Sequence, residues 1–324
     1  IDKNDGYIAL SLTKKAPFVG SEYEVVIIDI QDCYANPNSA SNIYSRMDID
    51  EAYDPNDSPN GTIDWVSMSQ TGNYFVIAYI RKFTLNPESG RCIMVYDNTV
   101  LAPTLNTNIS KVNSDGVTIP GCAYLSESHG DLGIDTNGED VWVGFKTNGY
   151  PDSNDNAQIC SVSNNNGGEQ LGGCMGYDNN TYLSMAKLRT GEVKYLFADG
   201  GSPSGIYSNY ISCRNTLRPG WAYISGEGDS RDGVPTQDIF SIRLAWDDSN
   251  LMEYYCRSYA KPWYNPSGAG NTGWDSQACP SRSGRMIHFD SFMLNEDLFN
   301  LHAPLPYGRN QAVAFLLTYP PRLL

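Results

Sequence analysis

A glycine followed at once by a short alternating strand recurs five times along the chain, and this repeat limits the possible folds more than any other feature. The segments are DGYIALSL at Gly6, TGNYFVIAY at Gly72, NGEDVWVGF at Gly138, PGWAYIS at Gly220 and SGRMIHFDS at Gly284, at intervals of 66, 66, 82 and 64 residues. Alternation of apolar and polar side chains over several positions is the pattern of a strand with one buried face, and a glycine just ahead of it marks a tight turn. Four of the five turns also follow a short apolar strand: IDWVSMS from Ile63, LGID from Leu132, NYISCRN from Asn209 and ACPSR from Ala278. Each unit therefore carries a hairpin. Further strand-like runs come after the hairpins: EYEVVIIDI, RCIMVYD, YLSMAKL with EVKYLF, and DIFSIRL with LMEYYC. The long interval contains Thr147 to Asn180, whose glycine, asparagine and serine content reads as a loop insert. Removing about half of it restores the period.

Three or four short strands per unit form a twisted sheet that cannot bury both faces alone, so neighbouring units must stack around an axis. The expected fold is an all-β propeller with about five blades visible, a single domain over residues 1–324 with the insert at 147–180. The strand that precedes the glycine in the other units is missing ahead of Gly6. Two outcomes are open: the termini pair to close the ring, or the chain is part of a larger ring. Trp65, Tyr74, Trp142, Trp221, Tyr223 and Phe289 fall in or beside the hairpin strands and are expected in the core between blades. The nearest approach to a helical period is FDSFMLNEDLFNLH, whose second half is expected as one short helix or turn.

The formal net charge of −15 disfavours nucleic acid and anionic membrane surfaces as partners, and a polyanionic ligand would need an arginine pocket of its own. The longest apolar runs, VVIIDI and VAFLLTY, are strand-sized, so no membrane insertion is expected. The first residues, IDKNDGYIAL, do not read as a basic segment followed by an apolar one. The eight cysteines are even in number and lack CxxC spacing, which points to disulfides and to an extracellular or periplasmic setting. Eight cysteines allow 105 pairings; Cys160 with Cys174, closing a short loop in the insert, and Cys256 with Cys279, tying one strand to the next unit, are two candidates among them. Asn56, Asn60, Asn108 and Asn179 each begin an N-x-S/T triplet.

In a propeller the first residues of the innermost strands converge at one mouth of the central channel, the natural place for a site. Those starts are Asp64, His129 with Asp131, Asn209 with Tyr210, and Gln277. HGDLGIDTNGEDVWV, NYISCRNTLRPGWAYIS and CPSRSGRMIHFDS resemble the inner-hairpin motifs of the secreted propeller polysaccharide lyases, the group that contains ulvan lyases and, more distantly, oligogalacturonate lyases. The resemblance spans three of the five units. It implies a carbohydrate-acting protein that breaks uronic-acid polymers by β-elimination. An arginine beside the uronate carboxylate stabilises the charge that develops when the C5 proton leaves, and a histidine or tyrosine takes that proton. By position the resemblance matches His129 and Arg214 to the family's histidine and arginine; Tyr210, near that arginine, is the tyrosine candidate for acid/base, its pKa lowered by the positive charge. Asp131, Asn209, Arg218 and Tyr195 are expected to contact substrate, Tyr195 being also a second acid/base candidate. The family pattern has histidines where Tyr210 and Ala278 stand, and usually another upstream of His129. The remaining histidines, His288 and His302, lie in or beyond the last hairpin, so no histidine metal cluster and no cofactor is expected.

Plainer roles compete with each of these. His129 can serve as a hydrogen-bonded mouth residue, Arg214 can pair with an acidic neighbour, and Arg218 in RPGW can stack on Trp221. DPNDSPNG places Asp54, Asn56, Ser58 and Asn60 at alternate positions before a glycine, as calcium loops do, but the bidentate glutamate is missing. With PDSNDN at Asp152 and GDSRDG at Asp229 it reads first as a solvated turn, with calcium a minor expectation. The rival function is non-catalytic: a glycan-binding module, or a structural subunit of an extracellular assembly or filament that associates with itself through its terminal strands.

Overall fold

The structure is a computed structural model that describes residues 6–13, 23–36, 43–49, 62–82, 89–99, 103–112, 118–126, 130–146, 182–196, 208–226, 238–247, 251–257, 278–291 and 313–318. Apart from one short helix, Ile30–Ala35, every regular element among these residues is a strand, and every pairing detailed below is antiparallel. The all-β class therefore holds. The helix was not legible in VVIIDI, which reads as strand through Ile30. Asp29 ends the strand because its side chain accepts from the Asp32 amide at 3.0 Å and caps a helical turn.

The chain forms two compact units, Ile1–Ser128 with Glu139–Tyr195, and His129–Gly138 with Leu196–Leu324. In the first unit Tyr7–Thr13, Tyr23–Asp29 and Ile43–Ile49 make a three-stranded sheet. Thr62–Met68, Tyr74–Lys82, Ser89–Asp97 and Cys122–Ser126 follow one another across a second sheet. Asp140–Lys146, Tyr182–Lys187 and Val193–Tyr195 pair in the same meander order. Alternate residues of the first two sheets share one core: Ala9, Val25 and Ile27 with Met68, Phe75, Ile77, Met94 and Tyr96. Burying a side chain of this size contributes about 1.5–3 kcal/mol, which no single sheet could collect on both faces. Trp65 and Trp142, 77 positions apart in the sequence, stack with ring centroids 5.2 Å apart, so these aromatics do lie between sheets.

The second unit begins with Asp131–Ile134. Ser208–Ser212, Trp221–Gly226, Asp238–Arg243 and Met252–Arg257 form a four-stranded meander, and Cys279–Pro280, Met286–Ser291 and Val313–Thr318 a three-stranded one. Tyr223 and Ile239 of the former pack with Ala278, Ile287 and Phe289 of the latter. Phe289 lies in a strand, and the helix or turn expected after it falls outside the described residues, as does the insert at 147–180.

Four of the five repeated glycines occupy one backbone state: φ is 79° at Gly72, 84° at Gly138, 81° at Gly220 and 67° at Gly284. The amides of Gly72, Gly138 and Gly284 each donate to the carbonyl three residues back, on Ser69, Asp135 and Ser281. In the RPG turn the same closure is made by Arg218 onto Asn215 at 2.7 Å. At Gly284 space adds to conformation, since a Cβ there would fall on the Tyr223 hydroxyl and 2.9 Å from Arg218 Cδ.

The cysteine pairing needs correction. Cys279 carries a free thiol, so the Cys256–Cys279 bridge is not formed. Each residue sits in its own ladder, Cys256 opposite Ile239 and Cys279 opposite His288, and spacing along the chain says nothing of that register. Cys33 and Cys122 are also free thiols, while Cys160 and Cys174 lie outside the described residues. Cys279 is exposed, whereas burial pushes the Cys213 thiol well above its ordinary value, with the Asp131 charge acting in the same direction. A disulfide exchange reagent applied to native protein is therefore expected to modify Cys279 rapidly and Cys213 only on unfolding. Mass mapping against a Cys279→Ser variant checks this, and equally fast reaction at Cys213 would show that its burial is wrong.

Among the described residues no helix is long and apolar enough to cross a membrane.

Candidate functional site

Of the seven residues expected at the site, the structure joins two. Asp131 opens the Asp131–Ile134 strand and Arg214 follows the Ser208–Ser212 strand. LGID can lie against SCRN because Gly133 has no side chain: a Cβ there would come within 3.1 Å of Cys213 Sγ and 3.2 Å of Leu244 Cδ1. That close approach lets the buried Asp131 carboxylate reach across. Its Oδ1 accepts from the Leu132 amide at 2.9 Å and its Oδ2 from the Cys213 amide at 2.9 Å, while Arg214 Nε lies 3.3 Å from Oδ2. Further along, the Gly220 amide donates to Ile134 O at 2.8 Å, the Thr136 amide to Leu244 O at 2.9 Å, and Trp246 Nε1 to Asp135.

The outcome is a guanidinium with one edge fixed and much of its surface in solvent. The Arg214 side chain is 50% exposed against 11% for Asp131. An arginine has five N–H donors, and the geometry with Asp131 engages Nε. Such a group, oriented by a buried carboxylate, is suited to receive a second carboxylate by its Nη edge.

Arg218, expected as a substrate contact, is occupied instead within the protein. Its guanidinium stacks 4.2 Å from the Trp221 ring centroid, the arrangement read from RPGW as the plainer alternative. Nη2 donates to Glu253 Oε2 at 2.9 Å, and Nη1 to the hydroxyls of Tyr223 at 2.8 Å and Tyr255 at 3.3 Å. Burial works against the Arg218 charge, but the hydrogen bond to Glu253 and the two tyrosines outweigh it and hold the pKa above its ordinary value. Burial likewise drives the Tyr255 phenol upward, although its hydrogen bond with Ser241 acts the other way. The Tyr223 hydroxyl reaches the Gly284 carbonyl at 3.0 Å, tying this cluster to the next sheet. Glu253 and Tyr255 were missed in the sequence because nothing local links them to an arginine 35 and 37 positions earlier.

Tyr210, four residues before Arg214, is half-buried and stands opposite Ser225. Asn209 lies in the same strand and Tyr195 in Val193–Tyr195, opposite Ser184 in the first unit; the side chains of both fall outside the described residues. His129 itself is outside them, as are Asp54, Asp152 and Asp229 of the acidic loops. Among the described residues no group of three or more His, Cys, Asp or Glu could hold a metal ion.

Compared with known proteins, the chain matches no family model and no curated protein. Solved structures give distant likenesses. Acylaminoacyl peptidase from Pyrococcus horikoshii has a TM-score of 0.36 and 14% identity over 88% of this chain and 34% of that one. A protein from Lactobacillus plantarum has a TM-score of 0.30 and 7% identity over 87% and 75%, and a candidate 6-phosphogluconolactonase from Bacteroides fragilis 0.29 and 8% over 90% and 76%. The chain thus spans about a third of the peptidase chain's length. None of the three is described as a polysaccharide lyase.

Proposed function

We propose that this chain is an extracellular β-propeller of about five blades, one domain, that acts on glycans bearing carboxylates, with Arg214 receiving a uronate. The blade reading rests on bonds between successive repeats. Asp140 of one hairpin accepts from Ser69 and Thr71 of the hairpin before it, Asp131 accepts from Cys213, and Tyr223 donates to Gly284. The glycan reading rests on one observation: a half-exposed arginine oriented by a carboxylate that is itself held by two backbone amides.

In a β-elimination at this place Arg214 would pair with the uronate carboxylate and stabilise the charge as C5 loses its proton. His129 or Tyr210 accepts that proton. The electron pair of the C–H bond becomes the C4=C5 double bond, the C4–O bond breaks, and the leaving oxygen is protonated. The experiment is absorbance in the unsaturated-uronate band with a panel of uronic-acid polysaccharides, run on wild type, His129→Ala and Arg214→Gln. Product is expected with wild type; its loss in His129→Ala would assign the proton transfer to His129, and its persistence would assign it to Tyr210. Arg214→Gln should lower kcat/KM by about 10–100-fold, the value of a charge-assisted hydrogen bond to the ligand.

Tyr210 and Ala278, standing where the lyase pattern has histidines, favour a second reading: a non-catalytic glycan-binding module. It predicts no absorbance change on any polymer, with saccharide affinity that survives His129→Ala but falls with Arg214→Gln. Unchanged affinity in Arg214→Gln would remove both readings.

A further inference from the structure

In a chain with 37 acidic and 22 basic residues, two adjacent hairpins break the pattern. Residues 208–222 and 278–287 together hold four arginines, at 214, 218, 282 and 285, and no aspartate or glutamate. The other hairpins differ. DTNGE carries Asp135 and Glu139, whereas the acids that meet the basic turns, Asp131 on Arg214 and Glu253 on Arg218, come from outside both hairpins. The structure places the two basic turns side by side: the Leu217 amide donates to Arg282 O at 2.8 Å, and Arg282 Nε donates to Thr216 Oγ1 at 3.1 Å. Thr216 is in turn bonded through its amide to Arg214 O at 2.9 Å, so one threonine links the two arginines. Ser212 and Cys279 meet at 3.8 Å, and Tyr223 binds the Gly284 carbonyl, so both turns are clamped to each other. Arg218 turns into the cluster with Glu253, whereas Arg214, Arg282 and Arg285 are exposed.

We infer that Arg214, Arg282 and Arg285 form one cationic platform that binds a polyanionic polysaccharide along its length. This rests on the reading of Arg214 as a carboxylate receptor and extends it: the ligand is a polymer with closely repeated anionic groups, carboxylate or sulfate, in place of a single uronate. The charges stand on turns held by backbone bonds, so little ordering of the backbone accompanies binding. A net charge of −15 repels competing polyanions elsewhere on the chain and leaves this platform as the place of attachment. Nucleic acid is disfavoured because, of the two aromatic rings in residues 208–222 and 278–287, Tyr210 is half-buried and the Trp221 ring is covered by Arg218.

The test is titration calorimetry of the full chain with polygalacturonate, dextran sulfate, a digalacturonate and a single-stranded DNA oligomer at two salt concentrations. Arg282→Gln with Arg285→Gln is expected to weaken polymer binding about tenfold or more. The slope of log affinity against log salt should fall by about one for each arginine removed. Digalacturonate binding should be unchanged, and Arg282→Lys with Arg285→Lys should restore most polymer affinity. Polygalacturonate alone binding would assign carboxylates, and both polymers binding would assign anionic density. Either supports the platform. Unchanged polymer affinity and salt slope in the double glutamine variant would overturn it, as would DNA binding as tight as polysaccharide or no polymer binding by wild type. Digalacturonate binding that depends on Arg214 would still stand in those cases, which separates failure here from failure of the glycan reading.

Discussion

Arg218→Met is expected to lower the free energy of unfolding by about 3 kcal/mol, the lower end of what removing one partner of a buried ion pair costs. The side chain of Glu253 is 9% exposed and that of Arg218 is 25% exposed, so the pair is shielded but not sealed. Methionine keeps much of the contact with Trp221 and removes the charge. The Glu253 carboxylate then keeps the Tyr255 hydroxyl at 2.9 Å, while Tyr223 and Tyr255 lose the guanidinium between them. Urea unfolding of the variant checks the value. The double variant with Glu253→Gln should recover a good part of the loss, because the neutral amide no longer needs a counter-charge. A loss below about 1 kcal/mol in the single variant would mean that water reaches this cluster and the pair is worth no more than a surface one. Arg218→Lys should not rescue fully, since an ammonium cannot stack on Trp221 and serve Glu253 and two phenols in one planar arrangement.

Asp140→Ala is expected to cost about 2–4 kcal/mol. The buried carboxylate accepts from the Ser69 hydroxyl at 3.0 Å, from the Thr71 amide at 3.2 Å and from the Thr71 hydroxyl. All three donors belong to the preceding hairpin turn, and Ser69 Oγ also accepts from the Tyr74 amide at 3.2 Å to hold that turn in shape. Alanine leaves the donors without the acceptor that joins one repeat to the next. Asp140→Asn retains one carbonyl oxygen and should lose roughly half as much, with hydroxyl rotation accommodating the amide. Denaturant midpoints for the three proteins test this order. Alanine and asparagine variants that both unfold like wild type would show that the hairpins are held by apolar packing alone.

Much of this architecture was open to reading before any coordinates. Gly72, Gly138, Gly220 and Gly284 were picked out by their position ahead of alternating strands, and all four adopt the left-handed conformation. Trp65, Trp142 and Tyr223 were read as core from their places in hairpin strands, and Trp65 stacks on Trp142 while Tyr223 is fully buried. RPGW gave the stack of Arg218 on Trp221 because four residues of chain suffice to bring the two together. The acid partner of Arg214 was anticipated in kind, and the structure identifies it as Asp131.

Where partners lie far apart along the chain, the reading stopped. Asp140 with Ser69, Arg218 with Glu253, and Arg282 with Thr216 are separated by 71, 35 and 66 positions. Cys256 with Cys279 was one candidate pairing, yet the two belong to different ladders. Alternation and positive-φ glycine are local properties: each depends on a few neighbouring residues, so the sequence alone determined the hairpin strands and four of their turns, while Ile43–Ile49 and Cys122–Ser126 were not read as strands. Which charges meet depends on strand register and on how one sheet lies against the next. A shift of one residue sends a side chain to the opposite face, so only the tertiary structure decided that Arg218 turns inward to Glu253 while Arg214 keeps half its surface in water.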